Sequence, residues 1–284
     1  MRHSHALRIG PVGFRVGSTW RAPITALRGL YAGYPTLKAE VPDLTVRLYP
    51  ERPWRRWLRP SVAIGGDFWL PDAAPLPLAQ GLLAAEMGMN LQVALGWRRH
   101  LLLHCSAVER DGRVLLMSGA SGSGKSTLAT LLALAGWRFL GDEFAFVALD
   151  DGAIHPFPRA ASLKNEAVAA VRAAGGMVGP VLAGTPKGTI GYWRPPETAI
   201  SRMTDAAPPK LLLFPRFGEP ERVETMAPSE TFVRLTQAST NYVTLGQTGF
   251  SALTRLVQTV PALAIGYPDS AAGLALVERL WSAA

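Results

Sequence analysis

The spacing of apolar residues changes along the chain, and each pattern predicts a different kind of element. In residues 1–75, short stretches such as residues 44–49 alternate apolar and polar positions between turn residues, which is typical of strands. From residue 76 to about residue 97, apolar side chains recur every three and four positions, as on a largely buried helix. We therefore expect an accessory α+β unit over residues 1–75 and a second domain over residues 76–284.

Residues 101–157 contain the clearest run of predicted elements. A nearly all-apolar stretch predicts a buried strand, a turn follows, and a second apolar stretch predicts the returning strand. A glycine-rich loop, an apolar helix that Gly136 ends, a third strand and a hairpin come next. In order, these elements cover residues 101–108, 109–112, 113–117, 119–126, 126–135, 137–140 and 144–157. The order is typical of an α/β nucleotide-binding core.

Three further patterns lie in the second half of the chain. Ser162 resembles a helix N-cap, with Glu166 in the first turn. Residues 184–189 form a small-residue loop that is typical of a mobile lid or of an ordinary hairpin turn. Residues 271–284 have the apolar spacing of an amphipathic helix that packs on the core or on another subunit.

Composition narrows the class of protein. The 284 residues are 48% hydrophobic and 18% charged, which fits a globular chain with a substantial core and excludes a disordered or fibrous one. Cys105 is the only cysteine, so no intramolecular disulfide can form, and no Cys/His cluster has zinc-site spacing. The first residues contain no apolar stretch of signal-peptide length, and no run of about 18 apolar residues occurs. We expect a cytoplasmic protein with no membrane partner.

The formal net charge is +8, and most of the positive charge comes from arginines scattered along the chain. The densest group is residues 52–59, Arg-Pro-Trp-Arg-Arg-Trp-Leu-Arg. Basic residues with interleaved aromatics are one signal for nucleic acid. Such a group is more often a solvated loop or an edge packed on a neighbouring domain. We therefore expect no nucleic-acid partner.

Residues 119–126 match the phosphate-binding pattern G-x-x-x-x-G-K-[ST] in full. Glycines let the backbone turn its N–H groups toward a phosphate, and the following helix adds the positive end of its dipole. In this motif Lys125 bridges the β- and γ-phosphates, and the Ser126 hydroxyl binds Mg²⁺. The predicted nucleotide-binding residues are Gly119, Ala120, Ser121, Gly122, Ser123, Gly124, Lys125, Ser126 and Thr127.

An acidic pair, Asp142 and Glu143, follows the third predicted strand. At such a strand end, one carboxylate can bind Mg²⁺ while its neighbour takes the proton of an attacking hydroxyl. The predicted metal ligands are therefore Ser126, Asp142 and Glu143. The chain lacks an LSGGQ-like signature of ATP-binding cassettes and an NKxD-like segment of GTPases, and these absences favour a kinase.

Three segments in this order resemble the catalytic domain of the HPr kinase/phosphorylase family. They are His104, the loop at residues 119–126 and Gly141-Asp142-Glu143, where that family has H-G, G-x-S-G-x-G-K-S and A-D-D. The chain is most similar to the HPr kinase-related kinase A group, through LLLHCSAVE, SGSGKSTL, WRFLGDEFA and PRAASLKNE. The resemblance is strong over about residues 100–170 and looser over the remainder.

The resemblance implies a P-loop core of the PEP-carboxykinase and HPr kinase type, ATP and Mg²⁺ as cofactors, and a homo-oligomer. It also implies that Asp142 is the catalytic base and that His104 lies near the transferred phosphate. The chain departs from the family where Glu143 replaces the second aspartate and Cys105 replaces the glycine after the histidine. It also has no clear equivalent of the E-I-R-G-L-G segment. These departures leave open which acid is the base, whether HPr is recognised, and whether the reverse reaction occurs.

Four more residues are candidates for the site. Arg159 carries a planar, permanently charged group that suits developing phosphate charge. Lys164, Asn165 and Lys187 are candidates for contact with the acceptor or the nucleotide, and surface ion pairing or a turn is the alternative for each. The predicted catalytic residues are Asp142, His104, Lys125 and Arg159.

The sequence therefore predicts an ATP-dependent kinase that transfers the γ-phosphate to a hydroxyl. The favoured acceptor is a Ser or Thr of a peptide or small protein. One alternative is a small-molecule kinase whose acceptor pocket is walled by the N-terminal unit. The other is a regulatory module that binds ATP and transfers nothing, in which Asp142 and Glu143 are catalytically idle.

Overall fold

The computed structural model describes residues 1–69 and 74–284, which divide into two compact units, Met1–Trp97 and Arg98–Ala284. The boundary lies after Trp97 rather than after residue 75. The predicted helix of residues 76–97 is present at Gly81–Gly96, and it belongs to the first unit because it packs on that unit's sheet. Within the described residues, no helix has the length and apolar character needed to cross a membrane.

The first unit is a five-stranded sheet with two helices. In chain order its elements are β1 (His3–Ile9), β2 (Val12–Ser18), α1 (Arg21–Leu30), β3 (Leu44–Pro50), β4 (Ser61–Gly66), β5 (Leu76–Pro77) and α2 (Gly81–Gly96), with 3₁₀ helices at Pro53–Arg56 and Leu78–Gln80. The strands are ordered β1-β2-β3-β4-β5, and only β2 and β3 are parallel. The predicted strand over residues 44–49 is confirmed as β3.

A glycine lets α2 lie close to the sheet. A Cβ atom at Gly88 would come within 2.5 Å of Val46 Cγ1 and 3.1 Å of Ile64 Cγ2, so a larger residue would push the helix away. Glycine lowers the intrinsic helix propensity of α2, but the packing of α2 on the sheet requires it at position 88. Arg47 and Tyr49, which alternate with the buried residues of β3, are exposed on the opposite face of the sheet.

The second unit is built around a six-stranded mixed sheet. In chain order its elements are β6 (His100–Leu103), β7 (Cys105–Arg110), β8 (Arg113–Ser118), α3 (Lys125–Leu134), β9 (Arg138–Gly141), β10 (Ala145–Ala148), β11 (Ile154–His155), β12 (Ala161–Lys164), α4 (Glu166–Ala173), β13 (Val178–Thr185), β14 (Gly188–Trp193), α5 (Glu197–Ser201), β15 (Pro209–Phe217), β16 (Arg222–Thr225), α6 (Pro228–Gln237), α7 (Tyr242–Thr259), β17 (Ala262–Tyr267) and α8 (Ser270–Ala283). The large sheet is ordered β16-β17-β15-β8-β7-β9, and the smaller sheets are β11-β10-β6 and β12-β14-β13. The chain is therefore α/β, as the sequence predicts.

The large sheet is buried on both faces, as β8 illustrates. Leu115 and Met117 enter a core that includes residues of α3 and α8, whereas Val114 and Leu116 enter a core that includes residues of α7 and β6. Strands covered on both faces are nearly continuous apolar runs. This is why residues 113–117 show no alternation of apolar and polar positions.

The single strand predicted over residues 101–108 is instead two strands in different sheets. β6 pairs with β10, whereas β7 pairs with β8 and β9. His104 is the residue between them, and its N–H donates to the carbonyl of Ala238 at 2.8 Å. Because both strands are buried, the apolar run conceals the break. The break places His104 immediately before β7.

Three further predicted elements, a helix, a helix N-cap and a loop, can be compared with the structure. The predicted helix over residues 126–135 is α3, which ends just before Gly136, where φ is 98°. Ser162 lies inside β12, so the predicted N-cap is wrong, and Asn165 precedes α4 instead. Residues 184–189 are the tip of the β13–β14 hairpin, as in the turn alternative.

The C-terminal helix packs on the core of its own unit. α8 buries Leu276, Val277 and Trp281 against the cluster that includes residues of α3. Its first turn is capped by Asp269, whose carboxylate accepts a hydrogen bond from the N–H of Ala272 at 2.9 Å. The amphipathic helix predicted over residues 271–284 is therefore confirmed, with the core as its partner.

Candidate functional site

Four strands of the large sheet end at one edge. β8, β15 and β17 are parallel, and β9 runs in the same direction because β8 and β9 are both antiparallel to β7. The glycine-rich loop follows β8, the acidic pair follows β9, and His104 precedes β7. Ligands of open α/β sheets bind beyond the carboxyl ends of the strands. The candidate residues therefore converge where this architecture favours binding, with β7 between the two strands that carry them.

A cleft of about 670 Å³ lies at this edge. Its walls come from the glycine-rich loop, α3, the acidic pair, the β12–α4 junction and the β13–β14 tip. The candidate residues that line it are His104, Ser121, Gly122, Ser123, Gly124, Lys125, Ser126, Thr127, Asp142, Glu143, Lys164, Asn165 and Lys187. Three of the chain's five lysines are in this set, and three acidic residues, Asp142, Glu143 and Glu166, line the same cleft.

The glycine-rich loop uses backbone conformations that favour glycine. Gly122 and Gly124 have φ angles of 86° and 94°, which side chains with a Cβ rarely adopt. Gly124 directly precedes α3, and its carbonyl accepts a hydrogen bond from the N–H of Leu128 at 2.8 Å. The Ser123 Oγ is buried and has no hydrogen-bond partner among the described residues. An unsatisfied hydroxyl at a cleft wall is a polar atom that a ligand can pair with.

Lys125 begins α3 and folds back over the loop. Its Nζ donates to the carbonyls of Gly119 at 2.7 Å and Ala120 at 2.9 Å. Burial lowers the pKa of Lys125 from its usual value, and the nearby carboxyls of Asp142 and Glu143 oppose that shift. The loop carbonyls thus hold a partly desolvated ammonium at the cleft.

Asp142 is buried and only half satisfied. The Ser106 hydroxyl donates to its Oδ1 at 2.8 Å, whereas its Oδ2 has no hydrogen-bond partner among the described residues. Burial, together with the nearby charge of Glu143, raises its pKa to about 6, and the Ser106 and Ser126 hydroxyls partly oppose the shift. A carboxyl with a pKa near 6 is suited to proton transfer close to neutral pH. Its unpaired oxygen is the atom placed to accept a proton or a cation.

His104 and Glu143 lie side by side at the more exposed part of the cleft. His104 Nδ1 is 3.9 Å from Glu143 Oε2, and their side chains are 45% and 34% exposed. Burial lowers the pKa of His104; Glu143 opposes this shift, and the cleft lysines reinforce it. The imidazole is therefore neutral at physiological pH and can accept a proton or a hydrogen bond.

The three proposed contact residues, Asn165, Lys164 and Lys187, belong to the β12–β14–β13 sheet and its junction with α4. The Asn165 Oδ1 accepts a hydrogen bond from the N–H of Thr189 at 3.0 Å, and the Asn165 N–H donates to the Thr189 carbonyl at 2.9 Å. These bonds fix the β12–α4 junction against β14. Lys187 is exposed at the tip, and Lys164 ends β12. Both lysines therefore reach the cleft from one small sheet.

Arg159 is the predicted catalytic residue that the structure does not bring to the cleft. It is 5% exposed, and its guanidinium carbon is 5.9 Å from the ring centroid of Phe157. The residues that line the cleft do not include it. The sequence could not show that Lys164 lines the cleft and Arg159 does not, because both residues belong to the same family-like segment.

Sequence reasoning missed three residues of this edge. Phe217 ends β15 and Tyr267 ends β17, and both line the cleft with their rings 5.9 Å apart. The Tyr267 hydroxyl is buried and has no hydrogen-bond partner among the described residues. Ser106, the partner of Asp142, was hidden inside an apolar strand. A usable signal existed for the aromatic pair, because each follows an apolar run that predicts a buried strand.

Gly124→Ala is expected to weaken binding of a phosphate ligand far more than Gly122→Ala. A Cβ at position 124 would lie 2.5 Å from the Tyr267 hydroxyl and 3.1 Å from Phe217 Cβ, whereas a Cβ at position 122 meets nothing within 4 Å. Both glycines have positive φ, so the pair separates steric displacement from backbone strain. Calorimetry with ATP should give a loss for Gly124→Ala that is about tenfold or more greater than the loss that backbone strain causes in Gly122→Ala. Equal losses in the two variants would contradict close packing of the loop on Tyr267.

Comparison with known proteins gives little support for a specific family. No protein-family model matches the chain, and no curated protein matches it. Among solved structures it is similar to the HPr(Ser) kinase/phosphatase from Coxiella burnetii, at 13% sequence identity and a TM-score of 0.29, over 64% of this chain and 99% of that chain. A TM-score this low does not establish a shared fold, so nothing about this chain follows from the likeness. The resemblance drawn from the motifs remains a prediction.

Proposed function

We propose that the second unit binds ATP with Mg²⁺ through a P-loop and transfers the γ-phosphoryl group to a hydroxyl acceptor. The observation that carries the proposal is the meeting of the phosphate-binding motif and Asp142 at one cleft. The motif supplies Lys125, and Asp142 brings a buried, unpaired oxygen to the same space. The motif order that resembles the HPr kinase/phosphorylase family supports the same reaction.

The loop fits a phosphate chain. The positive φ angles of Gly122 and Gly124 give the backbone the curvature of an anion-binding nest, and α3 directs its N-terminus toward the cleft. Lys125 would exchange the carbonyls of Gly119 and Ala120 for phosphate oxygens. The unsatisfied Ser123 hydroxyl gives one more donor.

The acidic end of the cleft fits Mg²⁺. Ser126 and Glu143 both line the cleft, and the Ser126 hydroxyl acts on the adjacent Asp142 closely enough to lower the pKa of that carboxyl. The residues that the structure describes contain no cluster of three His, Cys, Asp or Glu that could hold a metal ion by itself. Mg²⁺ does not need such a cluster, because it is usually held by one or two carboxylates, waters and substrate phosphates.

The residues of the chain then have separable tasks. Bound ATP supplies the γ-phosphoryl group, and Mg²⁺ offsets part of the phosphate charge. Asp142 would accept the acceptor's hydroxyl proton at Oδ2, since its raised pKa suits a base near neutrality. Glu143, with a longer and more exposed side chain, would bind the metal. Lys125 would hold the phosphate chain in place throughout.

His104, Lys164 and Lys187 would act at the acceptor side of the cleft. The neutral imidazole of His104 lies against Glu143 and would position that carboxylate without adding a positive charge. Lys164 and Lys187 come from the β12–β14–β13 sheet and would contact the acceptor. A Ser or Thr in a peptide or small protein is the acceptor we favour. A homo-oligomeric, cytoplasmic enzyme is part of the same proposal.

The direct test is phosphoryl transfer from labelled ATP. Pure protein is incubated with ATP, Mg²⁺ and either a library of Ser/Thr peptides and small proteins or a pool of hydroxyl metabolites, and products are identified by mass spectrometry. We expect labelled phosphate on a Ser or Thr side chain. Label on a metabolite alone would support the small-molecule alternative. ATP binding without ADP release across both pools would support the regulatory module and reject the kinase.

A further inference from the structure

The segment between β3 and β4 carries features that the proposed reaction does not use. We call residues 52–59 the Trp–Arg segment; it contains the 3₁₀ helix Pro53–Arg56 and joins two adjacent antiparallel strands. The sequence left it as a solvated loop or as an edge packed on a neighbouring domain. The rest of the first unit does not bury its tryptophans.

The apolar side chains of the segment are unusually exposed. Trp54, Trp57 and Leu58 are 54%, 74% and 68% exposed. By contrast, Trp97 of the same unit is 3% exposed. Exposed large apolar side chains that lie next to one another mark an interaction site, whereas single scattered ones do not. The segment therefore needs a partner that accepts apolar groups.

The charges of the segment are all positive. Its four arginines, at positions 52, 55, 56 and 59, take part in no ion pair within the part of the chain that the structure describes. The Arg52 guanidinium lies 5.5 Å from the Trp54 ring centroid, and that of Arg56 lies 5.2 Å from the Trp57 ring centroid. Glu51, the residue before the segment, lines the same surface pocket as Arg52, Arg55 and Arg59. With four arginines and one glutamate, the exposed apolar groups are interleaved with a net positive charge, which favours an anionic partner.

Hydrogen bonds hold the segment in this shape. The Trp20 indole N–H donates to the Arg56 carbonyl at 3.1 Å, and the Leu58 N–H donates to the Trp54 carbonyl at 3.0 Å. The Arg55 guanidinium donates to the Arg59 carbonyl at 3.2 Å. The exposed side chains therefore project from a fixed backbone, so little conformational entropy is lost when they bind.

A lipid surface fits these features better than a nucleic acid. Single-stranded nucleic acids bind through a groove in which bases stack on open aromatic faces, whereas here each ring already carries an arginine of its own segment. Leu58 has no role in stacking or in phosphate recognition. Exposed tryptophan and leucine side chains with arginines beside them are the combination that enters the interface of an anionic bilayer.

We propose that the Trp–Arg segment docks the protein on anionic lipid bilayers. Trp54, Trp57 and Leu58 enter the boundary between headgroups and acyl chains, and the arginines contact lipid phosphates. The chain lies on the membrane and does not cross it. The proposal departs from the expectation of no membrane partner, which rested on the lack of spanning and signal segments and did not consider binding at the membrane surface. The proposal is independent of the kinase reaction.

The experiment is sedimentation of the full chain with two kinds of vesicle. One is pure phosphatidylcholine, and the other is phosphatidylcholine mixed with phosphatidylglycerol. We expect at least tenfold stronger binding to the mixed vesicles, weakened by added salt. Trp57→Ser combined with Leu58→Ser should lose about tenfold or more. Arg52→Gln combined with Arg59→Gln should lose about 25-fold, because each arginine near the surface contributes a factor of about five.

Matched controls make the result specific to the segment. Arg2→Gln combined with Arg21→Gln removes the same charge from exposed positions of the same unit, and Val41→Ser removes an 88% exposed apolar residue. Both controls should keep at least half of the binding. The proposal is overturned if the parent protein binds neither vesicle or binds both equally, or if the segment variants bind like the controls. It is also overturned if the protein ignores vesicles and binds a fluorescent single-stranded oligonucleotide through this segment.

Discussion

Lys125→Ala is expected to weaken ATP binding by about 100-fold or more. Lys125 is the candidate residue whose ammonium is already held over the glycine-rich loop, by the carbonyls of Gly119 and Ala120. A hydrogen bond to a charged group is worth about 1.5–3 kcal/mol, and the ammonium would make more than one with a triphosphate. Isothermal titration calorimetry with ATP and Mg²⁺ measures the loss directly.

Two further variants separate lost charge from a disturbed loop. Lys125→Met keeps most of the aliphatic stem and removes only the ammonium, so it should lose affinity to a similar degree. Lys38→Ala makes the same substitution at an exposed position of the first unit and should bind ATP like the parent. Thermal unfolding checks that each variant is folded. Parent-like ATP affinity in folded Lys125→Ala would reject phosphate binding by this loop.

The local order of elements around the loop could be predicted from the sequence, because neighbouring residues determine it. β8, the glycine-rich loop, α3 and β9 follow one another in the chain, and each has its own apolar pattern or turn residue. Gly136 ends α3 as predicted because its φ of 98° is one that glycine tolerates. Such signals do not depend on which distant elements pack nearby.

Features that depend on distant partners could not be predicted. α2 belongs to the first unit because Gly88 lets it approach Val46 and Ile64, and no local pattern shows that partner. The strand break at His104 exists because β6 and β7 join different sheets. Periodicity cannot reveal this change, since both strands are buried.

The same distinction applies to the site. The candidate residues near the motif reach one cleft because parallel strands end at the same edge of the sheet. Phe217 and Tyr267 reach it from strands far along the chain, so sequence reasoning missed them. Arg159 is the opposite case, because the family-like segment predicts a role for it, whereas its side chain is buried and is not among those that line the cleft. Proximity in sequence to a motif does not place a side chain in the cleft.

Asp142→Asn is expected to abolish phosphoryl transfer while ATP binding is retained. The asparagine keeps the size of the side chain and an oxygen that can accept the Ser106 hydrogen bond, but it cannot take a proton from the acceptor. Removal of a general base costs about 10²–10⁴-fold in rate. ADP release in the presence of acceptor measures turnover, and calorimetry measures binding. Asp111→Asn, an isosteric change at an exposed turn, should leave both unchanged.

The same substitution should raise the thermal stability of the metal-free protein at pH 8. The pKa of Asp142 is raised from 3.8 to about 6, so its ionised form is the one that the fold disfavours. The cost is absent below pH 3.8, grows between pH 3.8 and about 6, and is complete above that range. The Asp142→Asn variant has no carboxylate to ionise and would not bear this cost. We therefore expect its Tm to exceed that of the parent by about 5 °C at pH 8 and hardly at all near pH 4.

Measurements in EDTA without nucleotide keep cations from altering the carboxylate. The loss of turnover and the gain in Tm have the same cause, the buried carboxylate of Asp142. A buried carboxylate that lowers stability is the kind of group retained for chemistry. A higher Tm at pH 8 with lost turnover would agree with Asp142 as the base. Acceptor-dependent ADP release at the parent rate in Asp142→Asn would show that the proton goes elsewhere, with Glu143 the next residue to test.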